Sequence, residues 1–349
     1  MRIAGVSSAL PPHYYTQETI LAALSQYWSG QLDNPQFLTR LHQRTGVHGR
    51  YFVLPLERYY DLKTWGDNND VWIEAAVDLG EKAIRCALKR ASLSTDRIGA
   101  LFFVSVTGVA SPSVDARLMN RMKLPPHVKR VPIFGLGCVA GAAGIARAAD
   151  YVRAYPDEIA VLLSVELCSL TLQRDDLSVA NLISSGLFGD GAAAVAIAGA
   201  NVPVEGPAVI ANRSVFYPGS EHVMGWDISE QGFRIVLSPE VPDVIMTHLG
   251  ADVDSFLADL DLTRADIGSY IMHTGGPKVL QATEQALGLS NGALQASWDC
   301  LGRVGNLSSA SVLFVLEDAL MNRRPAPGTL SLLAAMGPGF CSELVLLKW

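Results

Sequence analysis

Apolar residues along this chain gather in short runs separated by glycine-bearing turns. ALFFVSV (100–106), EIAVLLSV (158–165) and TLSLLAAM (329–336) are apolar at almost every position. Such runs read as strands covered on both faces, because a sheet with one wet face alternates polar and apolar residues. All are far shorter than the roughly 18–20 residues an apolar helix needs to cross a bilayer, so no transmembrane segment is expected. The opening MRIAGVSSAL is strand-like and lacks the charged-then-apolar layout of a signal peptide, and a cytoplasmic location is the expectation.

Helical periodicity appears between these runs. VWIEAAVDLGEKAIRCALKR (71–90) puts its charges on one face, which predicts a helix of an outer layer. VAGAAGIARAADYVRAYP, after Cys138, is instead rich in Ala and Gly, so its neighbours approach closely and it is predicted to lie buried between sheets.

The two kinds of segment recur in order. DRIGALFFVSVTG (96–108) aligns with ADIGSYIMHTGG (265–276), each carrying an Ile-Gly pair. Ile98 precedes Cys138 by 40 residues and Ile267 precedes Asn306 by 39, and both special residues follow a glycine and enter a helical stretch. A duplicated strand, helix and strand unit follows, which predicts a doubled α/β architecture with halves 1–200 and 201–349. The Gly/Pro-rich stretch 199–241 reads as irregular, containing the boundary and some active-site loops.

Composition narrows the function. A chain of 349 residues, 49% hydrophobic and 17% charged, has ample material for a buried core. The net charge of −7 offers no basic field for nucleic acid. Five scattered cysteines, with no CxxC pair and no histidine at metal spacing, indicate neither a disulfide framework nor a zinc site.

Three glycine turns carry the candidate chemistry: GLGCVAG around Cys138, MHTGGP around His273 and GNLSSAS around Asn306. A cysteine at a buried helix start meets free backbone N–H groups and the positive end of the helix dipole, both of which favour the thiolate nucleophile. Taken singly, each residue has a plainer reading: Cys138 a small buried thiol, His273 a structural histidine, Asn306 a helix N-cap. The repeat changes that balance, because it puts Cys138 and Asn306 at equivalent ends of related units, facing one cavity.

The segments GLGCVAG, LFGDGAAA, HTGGP, GNLSSAS and MGPG, in that order over nearly the whole chain, resemble those of the type III polyketide synthases, the family of chalcone synthase. The resemblance implies a thiolase fold of five layers, αβαβα, forming a homodimer that uses acyl-CoA and malonyl-CoA directly, with no cofactor beyond these coenzyme A thioesters. It implies a catalytic triad of Cys138, His273 and Asn306. Cys138 takes the starter acyl group, His273 holds the thiolate as an ion pair, and His273 with Asn306 stabilises the enolate left when malonyl-CoA loses carbon dioxide. Arg40 and Arg44, one helical turn apart, match positions that hold the CoA phosphates, while Phe37 stands at a third that is often basic. Phe188 matches a gating phenylalanine. The second gate position carries Ile235, which departs from the plant enzymes.

By the same resemblance Thr107, Cys168 and Thr171 shape the cavity, with Ser308 and the Gly337 to Gly339 loop near the site of cyclisation. MGWDISEQGFRIVLSPEVP (224–242) is similar to the bacterial branch that makes alkylpyrones and alkylresorcinols from medium- or long-chain fatty acyl-CoA starters. A small or aromatic starter is the alternative. A ketoacyl-ACP synthase III shares the three residue types, but its His-Gln-Ala-Asn pattern is replaced here by HTGGP. A papain-like protease has the same residue order, yet its CGSCW-like segment is absent. A catalytically dead binding module of the same fold is disfavoured by the intact triad.

Overall fold

A computed structural model describes all residues from Met1 to Trp349. The amino-terminal half contains β1 (Arg2–Ala9), β2 (His13–Thr16), α1 (Gln17–Tyr27), α2 (Pro35–Gln43), β3 (Gly49–Phe52), α3 (Trp65–Arg90), β4 (Ile98–Val104), α4 (Val114–Met122), β5 (Lys129–Ile133), α5 (Ala140–Ala154), β6 (Ile159–Leu167), α6 (Val179–Leu187) and β7 (Asp190–Ala198). The remainder contains β8 (Ala208–Phe216), β9 (Met224–Ser229), β10 (Gly232–Leu237), α7 (Val241–Ala258), β11 (Ile267–Met272), α8 (Pro277–Leu287), α9 (Gln295–Val304), α10 (Ser311–Met321), β12 (Leu330–Gly337) and β13 (Cys341–Lys348).

The main strands run in the order β11-β12-β13-β8-β1-β7-β6-β4-β5. The two halves of this order meet only through Arg2 paired with Ala208, so each half is a sheet of its own. Alternation along the strands sends side chains to different cores. In β4, Ala100, Phe102 and Val104 join the central core, while Leu101 and Phe103 face the core under α3. In β12, Leu333 and Ala335 point to the central core, and Leu332 and Ala334 to the core under α7 and α8. The central core contains α5 and α10 with strands of both halves. The layers are therefore helix, sheet, helix, sheet, helix, the thiolase arrangement.

The duplication is visible in detail. β4 starts at Ile98 and β11 at Ile267, each after a short 3-10 turn, Thr95–Arg97 and Arg264–Asp266. Each strand pairs in parallel with its neighbour, and each pairing slips at the glycine after the isoleucine, between Ile98 and Ala100 and between Ile267 and Ser269. Close approach of the central helices depends on glycine: a Cβ on Gly141 of α5 would stand 2.2 Å from the Ser309 carbonyl oxygen, just ahead of α10. An alanine there would force the two helix starts apart.

Two expectations need correction. The outer helix α3 begins at Trp65 rather than near Val71, because Thr64 and Asp67 form a capping box that outweighs the polar run following it. The stretch 199–241 is not mainly irregular; it holds β8, paired with β13 along its length, and the β9–β10 hairpin. The half-exposed pattern of β8 hides it from a search for apolar runs. No helix is long and apolar enough to cross a membrane.

Candidate active site

Cys138 lies on a 3-10 turn, Gly137–Val139, that leads directly into α5. Gly137 has φ +56°, and a Cβ on it would sit 2.6 Å from the Pro338 ring, so the turn closes only with glycine there. His273 continues β11 by one residue, its N–H donating to the Ala334 carbonyl of β12 at 3.0 Å. Gly275, Gly276 and Pro277 then turn the chain into α8. Asn306 follows Gly305, whose φ of +75° ends α9. Its N–H donates to the Leu187 carbonyl at 2.9 Å, and its carbonyl accepts from Gly189 at 2.9 Å, so Asn306 and Phe188 are locked side by side.

These three residues line one outer chamber. They are nearly closed off from water, at 5%, 8% and 2% exposure for Cys138, His273 and Asn306. Cys138 also lines a second, inner chamber with Thr107, Cys168, Thr171, Ile235 and Ser308. Cys138, Phe188 and Met224 face both, and so stand where the two chambers meet. Phe188 thus has the position of a gate, and Met224 shares it, while Ile235 faces the inner chamber alone.

Hydrogen bonding sets the orientation of the Asn306 amide. Its Oδ1 accepts from the Ser308 N–H at 2.8 Å and from the Ser311 hydroxyl at 3.3 Å. Ser311 in turn accepts from the Leu307 N–H at 2.7 Å, which directs its own proton towards Asn306. With the oxygen engaged, Nδ2 is left as the donor for a ligand oxygen. Ser311→Ala should therefore lower malonyl-CoA decarboxylation by about tenfold and, by orphaning the Leu307 N–H, cost about 1–3 kcal/mol of stability. Chemical denaturation alongside released carbon dioxide measures both; an unchanged decarboxylation rate in a folded variant removes Ser311 from this role.

No hydrogen bond joins the Cys138 thiol to the His273 ring. Cys138 Sγ lies 3.6 Å from the Ser308 hydroxyl, and Ser308 holds that place with φ +47°, unusual outside glycine. Burial pushes the Cys138 thiol up to about 12. Burial also pulls His273 down to about 4, and its Nδ1 has no partner. Burial thus opposes the charged form of each group taken alone.

Three expected positions are changed by the geometry. Arg44 lines the mouth of the outer chamber but Arg40 does not, because α2 ends at Gln43 and Arg44 caps it rather than continuing the Arg40 face. Lys278, at the start of α8, joins Arg44 instead. Gly337 and Gly339 do not line either chamber; they make the tight β12–β13 connection that presents Pro338, which does. Sequence reasoning also missed Glu166, fully buried, which accepts from Thr107 Oγ1 at 2.9 Å and the Val106 N–H at 3.2 Å, and from the Ser309 hydroxyl. It ties the strand ends to the turn bearing Ser308. Trp226, facing the inner chamber opposite Ile235 in the β9–β10 hairpin, was missed too. It lies in a stretch that reads as irregular, and the strand that carries it appears only in the fold.

A buried cysteine, histidine and asparagine around one chamber of a thiolase fold define a condensing enzyme for acyl thioesters. The chain belongs to the chalcone and stilbene synthases: the N-terminal domain of that family matches residues 2–202 and the C-terminal domain residues 209–349. It is 51% identical to a 1,3,6,8-tetrahydroxynaphthalene synthase of Streptomyces peucetius subsp. caesius, over 99% of this chain and 93% of that one. It is 36% identical to a putative chalcone synthase of Bacillus subtilis, over 99% and 98%. The crystal structure of the 1,3,6,8-tetrahydroxynaphthalene synthase of Streptomyces coelicolor A3(2), a bacterial type III polyketide synthase, superposes with a TM-score of 0.95 at 32% identity, covering 100% of this chain and 99% of that one. The protein is thus a type III polyketide synthase, an acyltransferase that condenses by decarboxylation.

Proposed function

We propose that this enzyme makes an aromatic polyketide of the 1,3,6,8-tetrahydroxynaphthalene type, using malonyl-CoA as both starter and extender. The observation that carries this is the 51% identity to a synthase of that product. The chemistry closes: five malonyl units lose five carbon dioxides, five CoA thiols and one water to give that ten-carbon bicycle. Trp226 supports it, since an indole in the inner chamber takes room a long tail would use.

The triad acts in sequence. Cys138 attacks the starter thioester; a sulfur–acyl bond forms, the bond to CoA sulfur breaks, and His273 carries the Cys138 proton to the leaving thiolate. A further malonyl-CoA, its phosphates at Arg44, Lys278 and the more outlying Arg40, loses carbon dioxide. His273 and Asn306 Nδ2 donate to the resulting enolate oxygen. The enolate carbon attacks the acyl carbon and Cys138 leaves as thiolate. Thr107, Cys168, Thr171, Ile235 and Ser308 bound the space in which the chain grows and closes.

A second reading keeps the fatty acyl starter and closure to an alkylpyrone or alkylresorcinol. It is favoured by Ile20, Ala23, Leu24 and Leu56, which give the inner chamber an apolar wall suited to methylenes. Mass spectrometry of products separates the two. Malonyl-CoA alone should give the aromatic pentaketide; products formed only when acyl-CoA is added, and retaining its chain, would reverse the choice.

We further infer that the enzyme works as a homodimer in the cytoplasm. Edge strand β5 and Phe134, 50% exposed beside it, offer a surface for a second copy. All five cysteines are unpaired, which suits a reducing compartment.

A further inference from the structure

The inner chamber has a charged end. Besides the wall that carries Cys138 and Ser308, it has one built by α1 and the 56–61 turn, where Tyr27, Tyr59, Tyr60 and Arg174 line it. Arg174 is half-buried and held by its backbone, whose carbonyl accepts from the buried Trp28 indole at 2.8 Å. Only one of its five N–H donors has a protein partner, the Tyr59 carbonyl. It forms no ion pair, and the nearby Asp176 is taken by Arg234. The hydroxyls of Tyr27 and Tyr60, whose rings lie 5.7 Å apart, make no hydrogen bond within the protein.

A partly desolvated cation with most of its donors free calls for an anion from outside the chain. The guanidinium fork fits a carboxylate, which accepts two parallel hydrogen bonds. The CoA phosphates do not supply it, because the basic residues at their mouth, Arg44 and Lys278, line the other chamber, beyond Phe188 and Met224. The remaining source is the acyl chain on Cys138, which shares this chamber.

We propose that Arg174, with the Tyr27 and Tyr60 hydroxyls, forms an anion subsite that binds the distal carboxylate of a dicarboxylic acyl chain carried on Cys138. An alkyl terminus would gain nothing from the cation. The proposal rests on the malonyl-primed reading and deepens it: a malonyl starter that keeps its own carboxylate carries it further from Cys138 with each two-carbon extension, until Arg174 meets it. The subsite then measures chain length.

The test uses Cys138 acylation, read by intact-protein mass spectrometry, with matched CoA esters of equal chain length: glutaryl and pentanoyl, adipyl and hexanoyl, suberyl and octanoyl. Wild type should favour the dicarboxylic member at the length that spans the chamber. Arg174→Gln should slow that member about tenfold or more and leave its monocarboxylic partner unchanged, with Arg174→Lys intermediate. Equal slowing of both members, or of neither, overturns the subsite. Should Arg174→Gln not fold, Tyr60→Phe, at a residue 44% exposed, provides the same comparison with a smaller selective loss expected. The malonyl-primed reading fails separately, if malonyl-CoA alone neither acylates Cys138 nor yields the pentaketide.

Discussion

Cys138→Ala should end polyketide formation, by a factor on the order of 10⁴ or more, while malonyl-CoA decarboxylation continues. The separation follows from where the groups stand. Cys138 is the only triad member facing both chambers, so only it holds a growing chain in the inner one while the next extender occupies the outer one. The enolate donors, His273 and Asn306, line the outer chamber and keep their anchors: the Ala334 carbonyl for His273, and Leu187, Gly189, Ser308 and Ser311 for Asn306. Alanine removes the sulfur and its contact with the Ser308 hydroxyl, but leaves the Ser308 N–H and the other anchors in place. Radiolabelled malonyl-CoA reports both outcomes together, as product and as released carbon dioxide. Condensation near the wild-type rate would remove Cys138 as the acyl carrier; loss of both activities in a folded variant would mean that the sulfur also takes part in making the enolate.

The parts of this site that the sequence disclosed are those fixed by local chemistry. Cys138 and Asn306 each follow a glycine that the turn requires, Gly137 and Gly305, whose positive φ leaves its mark in the residue string, and His273 stands two residues before the Gly275–Gly276 pair. The doubled architecture was legible for a related reason, since the slip at Gly99 and at Gly268 is written as the same Ile-Gly pair. What escaped is set by distant packing. Nothing near position 278 announces that the start of α8 lines the same chamber as Arg44 at the end of α2, so Lys278 was overlooked. Met224, Trp226 and Arg174 come to the chambers from the β9–β10 hairpin and from the loop before α6, and only the fold reveals which way such segments face. Pro338 lines the inner chamber because two glycines turn the chain around it, so the conspicuous residues were the scaffold and the quiet one the wall.

The charge state of the pair could not be read from residue types at all, and it leads to the second large effect. Burial moves the thiol up to about 12 and the imidazole down to about 4. The signs matter. A raised thiol pKa means less thiolate at neutral pH, and a lowered imidazole pKa means a ring that stays neutral, able to take a proton, down to about pH 4. Each shift penalises a lone charge, whereas thiolate and imidazolium formed side by side offset part of both penalties, so passage of the Cys138 proton to His273 is the expected route to thiolate. His273→Ala removes that acceptor and leaves a thiol that burial holds above its ordinary range, with little thiolate at pH 7. Alkylation of Cys138 by iodoacetamide, followed by peptide mass spectrometry, should slow about 10²- to 10⁴-fold at neutral pH, the range expected for losing a general base. It should then rise about tenfold per pH unit up to at least pH 10, with no plateau. In wild type the acid limb of acylation should lie well below the 6.5 of an ordinary histidine, because the neutral ring persists there. The same rate and slope in both proteins would show that Cys138 ionises without His273, and the helix start alone would then have to supply the stabilisation.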